Sequence, residues 1–145
     1  MSAPEIVNIS IKLDEPKYMP SKAHDTDAGW DVYSTITLTI PPGQFAGIPL
    51  GISVAIQPGY CIILKERSGL ALKNGIRIGG GVIDASYRGE LKAIFHNLGD
   101  RDFKVEAGMK IAQMLVLPVP FVLFTPVQTL NETRRGTGGF GSTGV

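Results

Sequence analysis

The sequence predicts an all-β fold, a sandwich, jelly roll or small barrel carrying one short helix. Two observations lead there. Short segments of alternating apolar and polar residues are divided by Gly, Pro and Asn/Asp punctuation at intervals of roughly eight to twelve residues. Only one stretch, residues 68–74, has a start and a stop that suit a helix, so the strand–helix alternation of a doubly wound α/β fold is missing. Size agrees: 145 residues with 43% hydrophobic and 19% charged side chains describe one ordinary globular domain.

Residues 6–13 open as a strand, with Ile9, Ile11 and Leu13 alternating against Ser10 and Lys12. Residues 16–21 read as a loop, and the polar run after Ala23 turns strand-like at Trp30. Ile36, Leu38 and Ile40 alternate until Pro41-Pro42-Gly43 stops them. Residues 45–48 and 51–56 make two strands parted by a turn at Pro49; Pro58-Gly59 leads into a buried strand over 60–65. Ser68 is the expected N-cap of the helix and Gly75 its stop. Later, Leu91, Ala93, Phe95 and Asn97 alternate against Lys92, Ile94, His96 and Leu98. Phe103 and Val105, an apolar strand over 110–117 and a last extended segment over 121–130 complete the body, expected over residues 1–130. Residues 131–145 are another material, five glycines in fifteen residues with almost no aliphatic side chains, and are expected to form a flexible arm. Phe140, its one large apolar group, suits a lid closing on a ligand; the same composition also suits a simple disordered terminus.

Several classes fall away. A net charge of +1 is no footprint for nucleic acid, so an anionic ligand must be met by a local donor cluster. The single Cys61 excludes an internal disulfide, and with only His24 and His96 beside it there is no zinc set. No secretory signal and no run of eighteen apolar residues is present, which leads to the expectation of a soluble, intracellular protein without a membrane span.

The stretch of densest chemical interest runs Gly79-Gly80-Gly81-Val82-Ile83-Asp84-Ala85-Ser86-Tyr87-Arg88-Gly89-Glu90. Glycines permit a sharp turn or close backbone approach, and the spacing would let Asp84 and Tyr87 face one small cavity. The plain alternative is a β-hairpin whose Asp and Gly only make the turn. Arg67-Ser68-Gly69 puts a cation and a hydroxyl at the mouth of the helix, where free amides favour an anion; simple capping competes with that reading. Gln113 is a lone amide in an apolar strand, either satisfied internally or used on a ligand. Asp27 and Asp31 bracket Ala28-Gly29-Trp30; a surface turn explains Asp27, whereas carboxylates near a triphosphate suit Mg²⁺. Gly136-Thr137-Gly138-Gly139-Phe140-Gly141-Ser142-Thr143 approaches a phosphate loop, but Ser142 stands at the lysine position and no helix follows, so a P-loop ATPase is rejected. Glycine amides, hydroxyls and Arg134-Arg135 still make a serviceable phosphate clamp.

Five stretches in fixed order together resemble the trimeric dUTPase family: Asp27-Ala28-Gly29-Trp30-Asp31-Val32-Tyr33, Arg67-Ser68-Gly69-Leu70-Ala71, Gly81-Val82-Ile83-Asp84 with Tyr87-Arg88-Gly89-Glu90, Gly108-Met109-Lys110-Ile111-Ala112-Gln113-Met114, and Arg135-Gly136 with Phe140-Gly141-Ser142-Thr143-Gly144. The resemblance implies a distorted jelly-roll barrel or sandwich with one short helix, assembled as a homotrimer whose sites are shared between subunits. It implies hydrolysis of dUTP to dUMP and pyrophosphate, lowering dUTP and supplying dUMP for thymidylate synthesis. On the same basis Asp84 orients the attacking water, Tyr87 packs on the deoxyribose, and the Gly81, Val82 and Ile83 main chain reads uracil. Arg67, Ser68, Gly69, Lys92 and Gln113 belong to the substrate-binding set; Arg135, Gly141, Ser142 and Thr143 clamp the γ-phosphate while Phe140 stacks on the base. Asp31 would hold Mg²⁺ through its water shell. Two positions depart from the family pattern: Glu66 stands where proline is usual, and Met109-Lys110 where Asp-Arg is common. The first would place a negative charge beside the phosphate segment if it points inward; the second would alter a structural ion pair. Rival readings are a dCTP deaminase of related fold and a non-catalytic binding module.

Overall fold

The computed structural model describes residues 4–144. Eleven strands and one helix follow in the order β1 (Ser10–Leu13), β2 (Trp30–Tyr33), β3 (Leu38–Ile40), β4 (Phe45–Pro49), β5 (Ile52–Ala55), β6 (Tyr60–Glu66), α1 (Ser68–Asn74), β7 (Ile76–Gly79), β8 (Val82–Ile83), β9 (Lys92–Asn97), β10 (Phe103–Val105) and β11 (Lys110–Pro118), with a 3-10 turn at Pro16–Tyr18. The strands form small antiparallel sheets, β2-β11-β6-β8, β4-β9-β7, β1-β5 and β3-β10, rather than a closed barrel. The fold is all-β and jelly-roll-like.

Its core follows the alternation of the strands. Leu91, Ala93, Phe95 and Asn97 are buried, as their spacing predicts, and Phe95 meets Phe103 with ring centroids 6.1 Å apart. Val32, Ile48, Leu64 and Ile111 close the interior from the other strands; each fully buried aliphatic contributes about 1.5–3 kcal/mol. The one polar intruder on β9, Asn97, is fully satisfied: its amide donates to the Ile40 and Arg101 carbonyls at 2.8 Å and its oxygen accepts from the Gly99 amide at 3.0 Å.

Four expectations need correcting. The first strand starts at Ser10, because residues 6–9 have no strand opposite among the described residues; β1 pairs with β5. Pro49 closes β4 as its last residue instead of making a turn. The 79–90 stretch is no hairpin: β7 pairs with β9, whereas β8 pairs with β6, so the chain crosses from one sheet to the other at Gly80 and Gly81 (φ 60° and 94°). Residues 121–130 form no strand, and Phe121, Leu123 and Phe124 are 92%, 89% and 88% exposed. Nothing within the described chain lies opposite them.

Candidate active site

β11 is the spine of the first cleft. Its antiparallel register sets Gln113 beside Asp31 of β2 and beside Lys65 of β6, so the motifs around Asp31, Arg67 and Gln113 converge through pairing alone. Asp31, Arg67, Ser68, Gly69, Lys73 and Gln113 line a cleft of about 370 Å³. Asp31 lies 3.4 Å from the Arg67 guanidinium and 3.5 Å from the Lys110 ammonium, with its side chain 18% exposed. Lys110, the departure from the family pattern, thus supplies a cation to this carboxylate. The Gln113 amide nitrogen donates to the Glu66 carbonyl at 3.1 Å, which uses one of its two N–H groups and fixes the side chain in the strand. Gly29 leaves it room, since a β-carbon there would stand 2.7 Å from Gln113 Oε1.

The helix starts one residue earlier in role than expected. Arg67, with extended backbone, takes the N-cap position, and no side chain caps the helix; Ser68 is its first residue. Ser68 lines the cleft and is not spent as the cap. Gly75 ends the helix in the left-handed conformation (φ 68°), as expected.

Glu66 does not point into this cleft. Its carboxylate accepts the Ile78 amide at 3.0 Å and lies 3.3 Å from Lys65 and 3.4 Å from Arg77, with only 10% of its side chain exposed. Burial by itself would push this carboxyl up; the Ile78 and Glu66 amides and the Lys65 ammonium outweigh it and hold it below its ordinary value.

The second cleft, about 520 Å³, is lined by Gly81, Val82, Ile83, Asp84 and Tyr87 from the crossover and by Phe45, Gly47, Lys92 and Ile94 from β4 and β9. Asp84 and Tyr87 do face one cavity; both are exposed at its edge. A type of β-turn holds them, with the Tyr87 amide donating to the Asp84 carbonyl at 3.1 Å. Arg88 donates to the Ala85 and Tyr87 carbonyls at 2.6 and 3.0 Å and so staples that turn. Gly81 belongs where it is because its carbonyl accepts from the Leu64 amide at 2.8 Å and a β-carbon would press to 2.8 Å on the Leu64 oxygen. Phe45 and Ile94 were missed as cleft residues. Ile94 left a signal, an apolar side chain on the outward face between Lys92 and His96; Phe45 left none, as its place depends on the β4–β9 register. His96 stacks on Phe45 at 5.3 Å as a strand residue.

The arm forms a third, separate concavity of about 480 Å³ from Arg134, Arg135, Phe140, Gly141, Ser142 and Thr143. It is a series of turns: Arg135 Nε donates to the Gly138 carbonyl at 2.8 Å, and the Ser142 amide to the Gly139 carbonyl at 3.1 Å. Phe140 adopts a positive φ of 53° and its ring is wholly exposed. The three concavities share no lining residue. Asp27 caps the His24 amide at 3.0 Å, which is the surface-turn role. Among the described residues no helix is long and apolar enough to cross a membrane, and no three His, Cys, Asp or Glu side chains group as a metal cage.

An all-β, jelly-roll-like protein with one cationic cleft and one cleft pairing a carboxylate with an aromatic ring is thereby defined. The dUTPase family model matches residues 15–144, and the chain belongs to that family. It is 48% identical over 134 residues to the deoxyuridine 5'-triphosphate nucleotidohydrolase of Clostridium tetani, covering 91% of this chain and 92% of that one. The Staphylococcus bacteriophage 80alpha dUTPase with dUPNHPP superposes with a TM-score of 0.83 at 30% identity, covering 95% of this chain and 99% of that one. A dUTPase from phage phi11 of S. aureus, described for its coordination of a structural Mg(II) ion, gives a TM-score of 0.78 at 26% identity over 86% of this chain and 99% of that one.

Proposed function

We propose that this chain is a dUTP diphosphatase, cleaving dUTP to dUMP and pyrophosphate and so lowering dUTP while supplying dUMP for thymidylate synthesis. The observation that carries the reading is the shared cleft of Asp84, Tyr87 and the Gly81-to-Ile83 main chain, in a fold held in common with a dUTPase solved with dUPNHPP.

In this reading the Gly81, Val82 and Ile83 main chain reads the uracil edge, Tyr87 packs on the deoxyribose and excludes a 2′-hydroxyl, and Lys92 lies at the same rim. Asp84 orients water for in-line attack on the α-phosphorus and accepts its proton. Arg67, Ser68, Gly69 and Gln113 receive the phosphates, where fixed donors stabilise developing charge. Asp31 suits Mg²⁺ held through water: it is a single, partly exposed carboxylate at the cleft, and with one cation facing each oxygen it keeps acceptor sites for water. When bound, the ion would neutralise phosphate charge. Residues 131–145 act as the arm, with Arg135, Gly141, Ser142 and Thr143 on the γ-phosphate and Phe140 on the base.

Separate concavities argue that one copy holds no complete site. A homotrimer in which neighbours supply the crossover cleft, the cationic cleft and the arm resolves this, and gives the bare apolar run at 121–130 a surface to cover. Pyrophosphate release from dUTP, set against dCTP, dTTP and UTP with and without Mg²⁺, tests the function. Release confined largely to dUTP and dependent on Mg²⁺ is expected; no release from any of the four would overturn it in favour of a non-catalytic binding role.

A further inference from the structure

β6 and β8 run antiparallel, pairing Ile62 with Ile83 and Ile63 with Val82, and the ladder continues to the bond from the Leu64 amide to the Gly81 carbonyl. Beyond that point the backbones part. Gly80 and Gly81, at φ 60° and 94°, turn the chain out of β7, which bonds to β9 on one edge and has no strand on the other among the described residues. The Ile78 amide on that bare edge meets the Glu66 carboxylate at 3.0 Å. The second carboxylate oxygen is held by Lys65 at 3.3 Å and Arg77 at 3.4 Å, so neither oxygen is idle. The same residue's carbonyl receives Gln113, and its successor is Arg67. Glu66 lines neither cleft: its carbonyl holds Gln113 of the first, and its carboxylate holds Ile78, on the strand that runs through Gly80 into Gly81 of the second.

From this geometry we infer that Glu66 is a positioning residue for dUTP hydrolysis, a strut that fixes the Gly79-to-Asp84 crossover against the strand end carrying Arg67 and Gln113. The inference rests on the proposed function for its catalytic consequence. The carboxylate replaces a ladder bond where the strands splay, so removing it frees Ile78 and with it the path of the main chain to Asp84. The Glu66 carbonyl is untouched by a side-chain change, which leaves Gln113 in place. The two clefts should therefore respond differently.

The test compares wild type, Glu66→Gln and Glu66→Ala, assayed at a temperature where all three are folded. Readouts are kcat and KM for dUTP, competitive inhibition by dUMP and by pyrophosphate, and amide hydrogen exchange over residues 78–84. Glu66→Ala should lower kcat and weaken dUMP inhibition by about tenfold while pyrophosphate inhibition stays within about twofold. Glu66→Gln, which keeps an oxygen for the Ile78 amide, should restore dUMP inhibition. Exchange over 78–84 should accelerate in Glu66→Ala and not in Glu66→Gln. Unchanged kcat and dUMP inhibition in Glu66→Ala would overturn the inference, as would equal weakening of dUMP and pyrophosphate, which marks a general structural defect. Should the wild type release no pyrophosphate from dUTP, the proposed function fails instead, and exchange decides the strut alone: retained protection in Glu66→Ala refutes it, lost protection supports it.

Discussion

The Tyr87 hydroxyl donates to the Glu90 carbonyl at 3.0 Å, and its ring lies so close over Gly89 that a β-carbon there would overlap the hydroxyl and stand 2.6 Å from Cζ. Gly89 is the floor on which the ring rests. The obstructing atoms are the far end of a half-exposed side chain, so a methyl group displaces the ring at little structural cost. Gly89→Ala should therefore melt close to wild type and yet discriminate poorly between sugars. Measured as the ratio of kcat/KM for dUTP to that for UTP, selectivity should fall by about tenfold. An unchanged ratio would remove Tyr87 from sugar recognition.

Gly29 and Gln113 stand in a tighter version of the same relationship. A β-carbon at Gly29 would press to 2.7 Å on Gln113 Oε1 and 3.1 Å on its Cβ, and the Gln113 amide is already committed to Glu66. Gly29→Ala must break that bond or shift β2, at a cost of about 1–3 kcal/mol. Urea unfolding measures the loss. If Gln113 binds phosphate, KM for dUTP should rise several-fold while inhibition by deoxyuridine, which carries no phosphate, holds steady.

Which parts of this were legible beforehand follows from how far each signal reaches along the chain. Period-two alternation at Ala93, Phe95 and Asn97, begun by Leu91 just ahead of the strand, is local and reads out the buried face of β9 directly. The αL stop at Gly75 is equally local. The pairing of Gln113 with Asp31, by contrast, is long-range; only the residue types hinted that they belong together. The 79–90 stretch misled because three glycines and an Asp signal a turn in either case, and whether β7 and β8 pair with each other or with different sheets is decided by partners elsewhere. Phe45 reached the cleft only through the β4–β9 register, which no spacing within β4 records. At Glu66 the residue type carries a charge but no direction, and direction inverted the consequence: the carboxylate that would have repelled phosphate is turned aside, largely covered and bonded.

That carboxylate gives a pH signature. Held below the ordinary glutamate value of 4.5, Glu66 binds fewer protons in the folded chain than in the unfolded one near that pH. Its contribution to stability is therefore complete above about pH 4.5 and is lost as pH falls through the lower folded value. Urea-unfolding free energies measured from pH 6 downward should drop less steeply below pH 4.5 in Glu66→Gln than in wild type. Parallel curves would mean that the carboxylate is no better solvated by its partners in the fold than in the unfolded chain.

The arm bonds within itself through Arg135, Gly138, Gly139 and Ser142, and Phe140 touches nothing that buries it. Removing residues 134–145 should thus leave the melting temperature and the oligomeric state unchanged, since no core residue is lost. Turnover of dUTP should fall at least about a hundredfold if the arm excludes water and clamps phosphate. A truncated chain of full activity would make the arm a bystander.

Asp84 offers the sharpest separation of binding from chemistry. It is exposed at the edge of its cleft, its carbonyl rather than its carboxylate forms the turn to Tyr87, and among the described residues no side-chain bond ties it to the fold. Asp84→Asn should preserve the turn, the cleft and the affinity for a non-hydrolysable dUTP analogue, because none of these depends on the negative charge. What it removes is the proton acceptor for the attacking water, a contribution of about 10²–10⁴-fold for a positioned general base. Isothermal titration with the analogue alongside single-turnover pyrophosphate release tests both halves. Retained binding with turnover collapsed identifies Asp84 as the base. Near-normal turnover would force the role onto another group, and Glu90 is the other carboxylate lining that cleft.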